Sequence, residues 1–551
     1  MPQAVELLRQ GRGEELWQMC CGYLTLNLEQ FMTIQKRLLV EQLELLHRSK
    51  LGKKVMRGAR PDSVEEFREE VPLTDYADYC PELAEKRENG LPAKPALWVH
   101  TSGRSGEYTC KWVPFTSTFC REMSTIMYGI GMLSCSREWG DTDGFPTCPR
   151  LIYTVAPRPY VTGAMASLLE QQTPIAYLPA LEEAEALSFE ERVRLGFKQA
   201  LSQGLDYFFG LSLVLVAVGD KFSQPAGSKI DIRPLLSQPR ALFRLAKGLT
   251  KSKLARRPLL PRDLWSVKGI MSGGLDSGVY KDRIKELWGR YPLDTYTGTE
   301  GGIVATQTWD YDGMTFVPHL NFLEFIPEEE HLKWQLDHSY QPRVLLLDEV
   351  KAGENYEIVI TNFHGGAMVR YRPGDMIRIV SLRNENLDID IPQMVFERRA
   401  DDLLDFVVIR LTEKNIWQAI EHAGIPYVDW TAYKKPGEAV LNLLIELKDD
   451  YRASAEDVAT AVYDQIMHSD NDAYTTSERH DDLVSMINFG VEVTLLPRGT
   501  FANYTAQRQA EGADLAHLKP PHINPSAKVL SLLRAKPEVA PKVEAGARAV
   551  R

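Results

Sequence analysis

The chain has 551 residues, of which 44% are hydrophobic and 25% are charged, a composition typical of globular proteins. A single hydrophobic core stops growing at about 250–300 residues, so this length predicts more than one domain. The formal net charge of −11 argues against a nucleic-acid-binding protein, since such proteins usually carry a basic surface.

One stretch departs from this acidic balance. Between positions 229 and 262 the sequence contains ten Lys or Arg residues and a single acidic residue, Asp231. Such a segment can contact phosphate groups or an anionic membrane surface. The solvated face of a short helix is the more common structure for this composition, and it is the one we expect here.

The cysteines and the apolar runs bear on the cellular compartment. All seven cysteines lie in the first third of the chain, without CxxC or His-rich spacing, so we expect no zinc site and a reducing, cytoplasmic environment. The N-terminal residues are charged and have no apolar signal-peptide core. The longest apolar run, 207–218, is shorter than the ~20 residues that cross a bilayer, so no membrane span is expected.

Residues 1–95 are predicted to form a helical N-terminal extension. Apolar residues recur at three- and four-residue steps over 26–46, which is the signature of an amphipathic helix. The segment 67–79 contains Pro and Asp residues and has the composition of a passage between two helices.

Short apolar runs separated by Gly-rich turns predict a large α/β domain over 96–398. Runs with the composition of strands occupy 96–100, 149–157, 213–218, 267–272, 293–298, 316–327, 343–350, 356–366 and 375–381. Helical periodicity occupies 188–203 and 279–289. Alternation on this scale is typical of sheets with helices packed on their faces.

A smaller α+β domain is predicted over 399–535. It contains a helix that starts at Thr412, a strand over 439–448, a helix over 454–468 that opens with a serine N-cap, and a strand near 491–496. The remaining residues, 536–551, are biased to Ala, Pro and charged types and are expected to be disordered.

The first candidate site is the segment 98–116, in which a predicted strand runs into a loop of hydroxyl and glycine residues. Its members Thr101, Ser102, Gly103, Ser105 and Gly106 can present amides and hydroxyls to phosphate oxygens, and Lys111 follows with a positive charge. The loop is not a Walker motif, because no Gly-Lys-Ser/Thr occurs at the required spacing. Gly/Ser-rich turns without a ligand are also common.

The segment 269–284 contains the string SGGLDS and permits two interpretations. In one, it is the pyrophosphate-binding loop of another class of ATP-using enzymes and depends on Ser272 and Asp276. In the other, Gly273 and Gly274 form a turn beside an adenine ring. The first interpretation requires the loop to open its own nucleotide-binding domain, whereas here the loop follows many predicted strands, which favours the second.

The string YTGTEGG at 296–302 groups three side chains that suit a nucleotide. Tyr296 offers a ring that can stack on a base, Thr299 a hydroxyl for a phosphate, and Glu300 a carboxylate that can hold Mg²⁺ against a triphosphate. A single string of this kind is more often a strand-to-turn connection, so it needs support from the other motifs.

The segment 368–379 is predicted to form a strand pair closed by Pro373 and Gly374, which would fix the place of Asp375. A carboxylate that accepts two hydrogen bonds suits the hydroxyls of a ribose. The alternative is an ordinary hairpin with a solvated aspartate.

Two late segments add charged side chains. In 396–416, at the predicted domain boundary, Arg399 can face a nucleotide and Asp401 can act as a hinge; an exposed linker is the alternative. Near the end of the chain two prolines hold Lys519 in an extended segment that can insert a cation into a cleft. A lone lysine before two prolines is uninformative by itself.

The six motifs occur in one order, and together they resemble the motif series of acyl-adenylate-forming enzymes. Within that superfamily the chain is most similar to the auxin-conjugating acyl-acid amido synthetases of plants and their microbial relatives, and next to phenylacetate–CoA ligases. The similarity extends over residues 30–535 and is strongest between 98 and 420. Further strings that carry it are VPLTDYADY (71–79), KWVPFT (111–116), HLNFLEFIP (319–327), RYRPGD (370–375), LTEK (411–414) and LKPP (518–521).

The resemblance implies a fold and a reaction. The fold is a large adenylate-forming domain, with mixed sheets and flanking helices, followed by a small mobile C-terminal domain. The reaction is the conversion of a small-molecule carboxylic acid to an acyl-adenylate with ATP and Mg²⁺, with release of pyrophosphate, followed by acyl transfer to an amino acid. CoA as acceptor, with a thioester product, is the main alternative.

The family's residue roles carry over to the matching positions. The phosphate loop would be Thr101, Ser102, Gly103, Ser105 and Gly106; the adenine pocket Gly273, Gly274 and Tyr296; the α-phosphate and Mg²⁺ ligands Thr299 and Glu300; the ribose ligand Asp375; and the hinge Asp401. The expected catalytic residues are Glu300, Arg399, which would face the nucleotide, and Lys519, which would stabilise the adenylation transition state.

The sequence departs from the family at three places. Arg104 replaces a small hydroxyl residue, which leaves open a non-catalytic protein that binds ATP. Extra residues precede Lys111, whose role is therefore open. Asp405 stands where many acyl-CoA ligases have a lysine, which weakens the CoA alternative. The acid itself is not identified, and the candidate wall positions of its pocket are Phe119, Met123, Leu320, Phe322 and His364.

Overall fold

The structure is a computed structural model that describes residues 3–101, 111–187, 189–223, 238–273, 277–400, 403–405, 410–435, 439–468, 489–511 and 519–534. Its internal contacts divide the chain into two compact units, Met1–Glu397 and Arg398–Arg551. The tail that is expected to be disordered, 536–551, lies outside the described residues.

The helices and strands have the following bounds. The helices are α1 (Ala4–Arg9), α2 (Gly13–Cys21), α3 (Leu28–Arg48), α4 (Lys50–Val55), α5 (Val64–Glu70), α6 (Ser117–Leu133), α7 (Val161–Leu169), α8 (Leu181–Glu185), α9 (Phe189–Gln203), α10 (Ser212–Ser223), α11 (Pro239–Leu254), α12 (Pro261–Leu264), α13 (Ser277–Trp288), α14 (Glu328–Leu336), α15 (Glu413–His422), α16 (Ala455–His468), α17 (Thr500–Ala510) and α18 (Ala527–Arg534). The strands are β1 (Pro95–His100), β2 (Trp112–Thr116), β3 (Arg150–Tyr153), β4 (Ala176–Leu178), β5 (Tyr207–Leu211), β6 (Gly269–Gly273), β7 (Leu293–Gly298), β8 (Gly302–Thr306), β9 (Met314–Phe316), β10 (Asn321–Pro327), β11 (Asn355–Asn362), β12 (Asp375–Ser381), β13 (Gln393–Arg399), β14 (Leu403–Asp405), β15 (Arg410–Thr412), β16 (Tyr427–Lys434), β17 (Val440–Leu447) and β18 (Gly490–Leu495).

The first unit is built around one large mixed sheet. Within the described residues its strand order is β10-β11-β12-β13-β9-β8-β7-β6-β5-β3-β4. The strands from β4 to β7 pair in parallel. The pairs β7–β8, β8–β9, β9–β13, β10–β11 and β11–β12 are antiparallel. This arrangement confirms the α/β class that the sequence predicts.

The antiparallel half of this sheet curls until its ends meet. Neighbouring strands lie about 4.8 Å apart, so β8 and β10, five places apart in the order, would be about 24 Å from each other in a flat sheet. Instead, the side-chain amide of Asn321, which begins β10, donates to the carbonyl of Gly301 at 2.7 Å. Asn362, which ends β11, likewise donates to the carbonyl of Glu300 at 2.9 Å. The two asparagines thus close the curled half at the turn before β8.

Helix α3 packs on the curled half through an apolar face that includes two buried glutamines. Gln35 donates at 2.7 Å to the carbonyl of Asn321 and accepts from the amide of Leu323 at 2.9 Å. Gln42, two helical turns later, accepts from the amide of Gly365 at 2.8 Å. Buried polar groups are normally hydrogen-bonded, and here both glutamines fix backbone at the same end of the β10–β11 pair, where Asn321 lies opposite Asn362.

One apolar run predicted as a strand, 213–218, lies in helix α10 instead. A short apolar run fits a buried helix as well as a buried strand, and periodicity does not separate the two. In the structure α10 packs against α13, where the indole N–H of Trp288 donates to the carbonyl of Leu215 at 3.0 Å. Among the described residues, no helix combines the length and the apolar character needed to cross a membrane.

The strand predicted over 343–350 is reduced to one pair of residues. Leu345 exchanges both backbone hydrogen bonds with Phe325 on the edge strand β10, at 2.8 Å each. The chain then leaves the sheet in a 3₁₀ turn, Leu347–Glu349, which the carboxylate of Glu349 holds by accepting from the amide of Leu346.

The strand pair predicted around Pro373 and Gly374 is not formed. Arg370 adopts a left-handed backbone conformation, with φ at 44°, which interrupts a strand. Its guanidinium is held by the buried carboxylate of Glu324, at 2.9 and 3.1 Å. Tyr371 therefore joins no continuous strand; it makes isolated bridges to Ile360 of β11 and to Thr74, and Asp375 begins β12.

The second unit has the smaller α+β fold that the sequence predicts. Its sheet has the order β16-β17-β18, in which β17 is antiparallel to β16 and parallel to β18. Helix α16 makes the crossover between the parallel strands. Helix α15 begins with a capping box between Thr412 and Asn415, at the predicted start.

Candidate functional site

Two residues from separate motifs meet at the end of β7. The hydroxyl of Tyr296 donates to Oδ2 of Asp375 at 2.7 Å. Their strands are four places apart in the sheet, so this contact depends on the curl described above. Asp375 is buried, and the ring of Phe396 lies 6.0 Å from that of Tyr296. An aromatic face and a carboxylate are therefore held side by side, which suits the base and the ribose of a nucleoside.

Glu300 lies one turn beyond β7, next to buried Thr299, in a hydrogen-bonded chain that ends on a lysine. The hydroxyl of Tyr371 donates to Glu300 Oε1 at 3.2 Å and accepts from Lys111 Nζ at 3.0 Å. Lys111 Nζ also lies 3.8 Å from Glu300 Oε1, and the two side chains are only 13% and 12% exposed. The structure thus gives Lys111, whose role the sequence leaves open, a place beside the carboxylate predicted to hold a metal.

The predicted phosphate loop is anchored by the strand pair β1–β2. Beyond this pair the amide of Thr101 donates to the carbonyl of Lys111, and the amide of Lys111 donates to the hydroxyl of Thr101, both at 3.1 Å. The loop residues between them, including Ser102, Gly103, Arg104, Ser105 and Gly106, lie outside the described residues. The end of the loop is nevertheless fixed, because Lys111 lies against Glu300.

The predicted adenine-side turn follows β6, the parallel neighbour of β7. The register pairs Met271 with Leu293, so Gly273 at the end of β6 and Tyr296 near the end of β7 lie at the same edge of the sheet. Gly274 is outside the described residues. Ligands of open α/β sheets bind at the carboxyl ends of parallel strands, and this edge is where Gly273, Tyr296 and the Glu300 turn are found.

The competing interpretation of SGGLDS finds no support in the position of Ser272. Ser272 is a strand residue only 2% exposed, and its hydroxyl is hydrogen-bonded to that of Ser212 at 2.5 Å. Asp276, the other residue that this interpretation requires, lies outside the described residues. A buried hydroxyl that is already hydrogen-bonded to the first residue of α10 is poorly placed to receive pyrophosphate.

Two of the candidate acid-pocket residues pack against the turn that carries Glu300. Gly302 has φ at +63°, and a Cβ at this position would lie 3.1 Å from Phe119 Cζ and from Met123 Sδ. The positive φ disfavours a side chain at Gly302, and the tight space beside Phe119 and Met123 adds to this. Phe119 and Met123 consequently border the start of β8, next to the predicted metal ligand.

The other three candidate acid-pocket residues have structural partners. Leu320 and Phe322 are fully buried, and the ring of Phe322 lies 6.2 Å from that of Phe67. His364 is less buried, and its Nε2 lies 2.8 Å from the carbonyl of His319. These contacts assign Leu320 and Phe322 to the core.

The boundary residues are less fully described. Arg399 is the last residue of β13, and Asp405 ends the short strand β14. Asp401 lies outside the described residues. The nucleotide contact of Arg399 and the hinge at Asp401 stay predictions.

Lys519 belongs to a charged cluster within the second unit. Its Nζ lies 3.0 Å from Oδ2 of Asp429, and Oδ1 of Asp429 lies 2.8 Å from Nε2 of His522. Nδ1 of His522 lies 2.6 Å from Oε1 of Glu413, and the imidazole stacks on Trp430 with an 11° angle between the rings. Lys519 is 67% exposed whereas Asp429 is 9% exposed. A flexible ammonium therefore reaches onto a buried carboxylate.

The carboxylates keep His522 protonated. Burial by itself lowers the pKa of an imidazole, but the hydrogen bonds to Asp429 and Glu413 and their charges outweigh it and raise the pKa of His522 to about 9. Burial would raise the pKa of Asp429, and His522 and Lys519 outweigh it, so this pKa is lowered. At neutral pH the cluster thus contains two cations and two anions.

Several residues of these clusters were not assigned from the sequence. Tyr371 and Glu413 lie inside the strings RYRPGD and LTEK, and His522 directly follows LKPP, so the resemblance marked their surroundings without giving them roles. Asp429 lies in β16, a strand that the sequence analysis did not predict, and it is recognisable only from its contacts.

Comparison with known proteins gives two family matches. Residues 23–146 match the GH3 family N-terminal domain, and residues 314–399 match the GH3 family central domain. A jasmonoyl–L-amino acid synthetase of Oryza sativa subsp. japonica is 27% identical over 291 residues, which is 48% of this chain and 47% of the relative. A 4-substituted benzoates–glutamate ligase of Arabidopsis thaliana is 27% identical over 241 residues, or 40% and 38%. The matched region thus spans less than half the length of these curated relatives.

Solved structures share the fold over nearly the whole chain. An acyl acid amido synthetase in complex with 2,4-DB superposes with a TM-score of 0.62 and 15% identity, covering 91% of this chain and 93% of the other. A 2-hydroxyisobutyryl-CoA ligase in its postadenylation state has a TM-score of 0.58 and 14% identity, with coverages of 92% and 91%. At these identities the similarity concerns the fold.

The His522 cluster predicts a pH-dependent stability. The pKa of His522 is raised from 6.5 to about 9. The charged imidazolium therefore stabilises the folded second unit fully below about pH 6.5, and this stabilisation is lost as the pH rises through 9. It amounts to at most about 3 kcal/mol in the free energy of unfolding. We expect His522→Gln to destabilise the second unit at pH 6.5 and much less at pH 9.5, as measured by urea unfolding of both proteins. An equal loss at the two pH values would contradict a charged His522.

Proposed function

We propose that the chain, which matches GH3 family domains over residues 23–146 and 314–399, activates a small carboxylic acid with ATP as an acyl-adenylate, releases pyrophosphate, and transfers the acyl group to the amine of an amino acid. The observation that carries the proposal is the joint placement of Tyr296, Glu300 and Asp375 at one edge of the sheet. Two separate motifs supply these residues, and each residue has the chemistry that its proposed ligand needs.

The nucleoside would be held by the Tyr296–Asp375 pair. We assign the adenine to the face of Tyr296, with Gly273 and Gly274 on the other side, where the lack of side chains permits a close approach. Asp375 would accept hydrogen bonds from the ribose hydroxyls. The hydrogen bond from the Tyr296 hydroxyl supports this assignment, because it fixes the orientation of the carboxylate before the ligand arrives.

The phosphates would be held by the loop 101–106, Thr299 and Lys111. An anionic acid must attack an anionic α-phosphate, so the site has to supply positive charge and dipoles that are already oriented. Lys111 supports this role because its ammonium is already placed at the end of the loop, beside Glu300. Bound Mg²⁺ would neutralise part of the triphosphate charge, and Glu300 fits it, since magnesium shared with substrate phosphates is typically bound through one or two carboxylates.

The adenylation step breaks one bond for each bond formed. The acid's carboxylate oxygen bonds to the α-phosphorus, and the bond from that phosphorus to the bridging oxygen breaks, so pyrophosphate leaves. We propose that Lys519 stabilises the negative charge that develops on the phosphates in the transition state, and that Arg399 lies beside the nucleotide. When the ammonium of Lys519 leaves Asp429, this buried carboxylate keeps the imidazolium of His522, so it is not left without a partner.

The second step would expose the adenylate to the acceptor by rotation at Asp401. The amine nitrogen bonds to the acyl carbon, the bond from this carbon to the AMP oxygen breaks, and the nitrogen loses a proton. Relatives are named for jasmonoyl, indole-3-acetic and 4-substituted benzoic substrates. Apolar carboxylic acids are accordingly the substrate class we propose, and Phe119 and Met123 beside the Glu300 turn support it.

We also propose that the protein works in a reducing, cytoplasmic environment. The described cysteines, Cys20, Cys21, Cys80, Cys120, Cys135 and Cys148, are all free thiols. Disulfides are usual in oxidising compartments and rare in the cytosol, so free thiols support this placement.

The proposed reaction predicts acid-dependent release of pyrophosphate. The purified chain with ATP and Mg²⁺ is offered aryl-acetic, substituted benzoic and cyclopentane-type carboxylic acids, first without and then with each amino acid or CoA. We expect pyrophosphate release with some acids and an amide product, detected by mass spectrometry, with some amino acids. If CoA gave a thioester and no amino acid gave an amide, the acceptor would be CoA. If pyrophosphate release did not depend on the acid, the chain would not catalyse the proposed adenylation.

Removal of the Lys519 charge should slow the adenylation step. We expect Lys519→Ala to slow acid-dependent pyrophosphate release by about 10²–10³-fold, the usual effect of one oriented donor at a transition state. Affinity for ATP should change little, because Lys519 contacts Asp429 before the reaction. The control is Lys528→Ala, an exposed lysine of α18 in the same unit. Normal release by Lys519→Ala would refute the assignment.

Removal of the Tyr296 hydroxyl predicts a binding defect. Tyr296→Phe keeps the ring but deletes the hydrogen bond to Asp375, and one such bond to a charged group is worth about 1.5 kcal/mol, or roughly tenfold in affinity. We expect the KM for ATP to rise about tenfold with little change in kcat. Tyr340→Phe is the matched control. The hydroxyl of Tyr340 also donates to a carboxylate, that of Glu330 at 2.6 Å, but neither residue belongs to the candidate site. If the two variants had the same KM for ATP, the assignment of Tyr296 to the nucleotide site would be wrong.

A further inference from the structure

A cationic cavity lies against helix α11, in the basic stretch that the sequence analysis set apart. Its volume is about 590 Å³, within the range of about 300–1,000 Å³ that is typical of small-molecule sites. The side chains that give it its character are Arg150, Arg240, Phe243, Arg244, Lys247 and Lys251. The expected solvated helix face is thus present, but its charges border a concave space.

The spacing of the basic residues explains why they share one side of α11. Arg240, Arg244, Lys247 and Lys251 follow one another at steps of three and four residues. The opposite face, Ala241, Leu245, Gly248 and Ser252, is buried. Phe243 projects from the basic side and is 72% exposed, an unusual position for so large an apolar ring.

The positive charge of the cavity is only partly compensated by the protein. The single acidic residue of its lining, Asp263, is bound by Arg257 at 2.7 and 2.8 Å. Within the described part of the chain, Arg240, Lys247 and Lys251 form no ion pair and no side-chain hydrogen bond. In a chain with a net charge of −11, such a group of unpaired cations is a local exception.

Two of the cations are held in place, one by a carboxylate and the other by backbone carbonyls. Arg150 binds Asp206 through both sides of its guanidinium, at 2.8 and 2.9 Å. Arg244 donates to the carbonyls of Ala200 and Leu201 at the end of α9. Burial and the nearby charge of Arg150 lower the pKa of Arg244. The two guanidiniums therefore repel each other, and an anion between them would relieve that repulsion.

The cavity is separate from the candidate active site. Arg150 begins β3, and Asp206 and Ser266 precede β5 and β6, so the cavity lies at the amino ends of these parallel strands. Gly273 and Tyr296 lie towards their carboxyl ends. A strand rises about 3.3 Å per residue, so the length of β6 places the two edges about 13 Å apart.

From this geometry we infer a second binding site, for a soluble organic anion that carries two or more phosphate groups on an aromatic or apolar body. The cations would bind the phosphates, and Phe243 would stack on the body of the ligand. A phosphorylated membrane surface is the competing occupant. It fits less well, because Arg244 is half-buried in a concavity and the acidic protein as a whole is repelled by an anionic bilayer.

The test measures binding and does not need catalytic activity. Isothermal titration of the full chain uses two probes, inorganic tripolyphosphate and adenosine 3′,5′-bisphosphate, with the double variant Lys247→Glu/Lys251→Glu. The matched control is Lys198→Glu/Lys253→Glu, two exposed lysines outside the lining that change the charge by the same amount. We expect the cavity variant to weaken both probes at least tenfold and the control to change them less than threefold.

A second variant tests the role of the aromatic ring. Phe243→Ser should weaken adenosine 3′,5′-bisphosphate several-fold and leave tripolyphosphate unchanged, because only the first probe has a ring to stack. Any binding at the candidate active site is expected to remain in every variant. Unchanged affinity and stoichiometry of both probes in Lys247→Glu/Lys251→Glu, or no binding of either probe to the native chain, would overturn the inference. So would co-sedimentation with phosphatidylglycerol-containing vesicles that depends on Lys247 and Lys251 while neither soluble probe binds.

Discussion

The closure of the antiparallel half of the sheet on itself is the constraint on which the candidate site depends. Two buried side-chain amides, Asn321 and Asn362, hold that closure by binding the backbone carbonyls at the Glu300 turn. In a flat sheet β7 and β12 would lie about 19 Å apart, beyond the reach of a tyrosine and an aspartate. The curl therefore creates the contact between Tyr296 and Asp375, and the same amides fix the turn that presents the carboxylate of Glu300.

Both charged clusters in the proposed mechanism follow one electrostatic rule, which is that each cation already has an anion. Lys111 lies beside Glu300 through Tyr371, and Lys519 lies on Asp429. Buried charges are costly unless they are paired, so these pairs keep the ligand-free protein stable. They also mean that phosphate binding would be an exchange of partners; for Lys111, whose side chain is 13% exposed, much of the cost of removing an ammonium from water has been met during folding.

Local motifs predicted the separate parts of the site, but not how those parts are joined. Tyr296 and Asp375 could be found because each lies at a strand end inside a recognisable string. The chain of contacts from Lys111 to Tyr371 joins residues 260 positions apart, and no periodicity records it. The helix α10 was mistaken for a strand because a buried apolar run has the same pattern in either conformation. Tertiary packing determines both the contact between Lys111 and Tyr371 and the helical conformation of α10. A single sequence contains little information on such packing.

The amino edge of the parallel strands has the opposite electrostatic character. There Lys247 and Lys251 of α11 form no ion pair within the described part of the chain, which has 75 acidic residues in its full sequence. Grouped cations without partners repel one another and lower stability, so a protein gains nothing from gathering them around a cavity unless something outside the chain neutralises them. At the Glu300 edge the anion is built in and must be displaced by the substrate. At the α11 edge no described carboxylate pairs with Lys247 or Lys251, and this difference is the physical reason to look for a second ligand there.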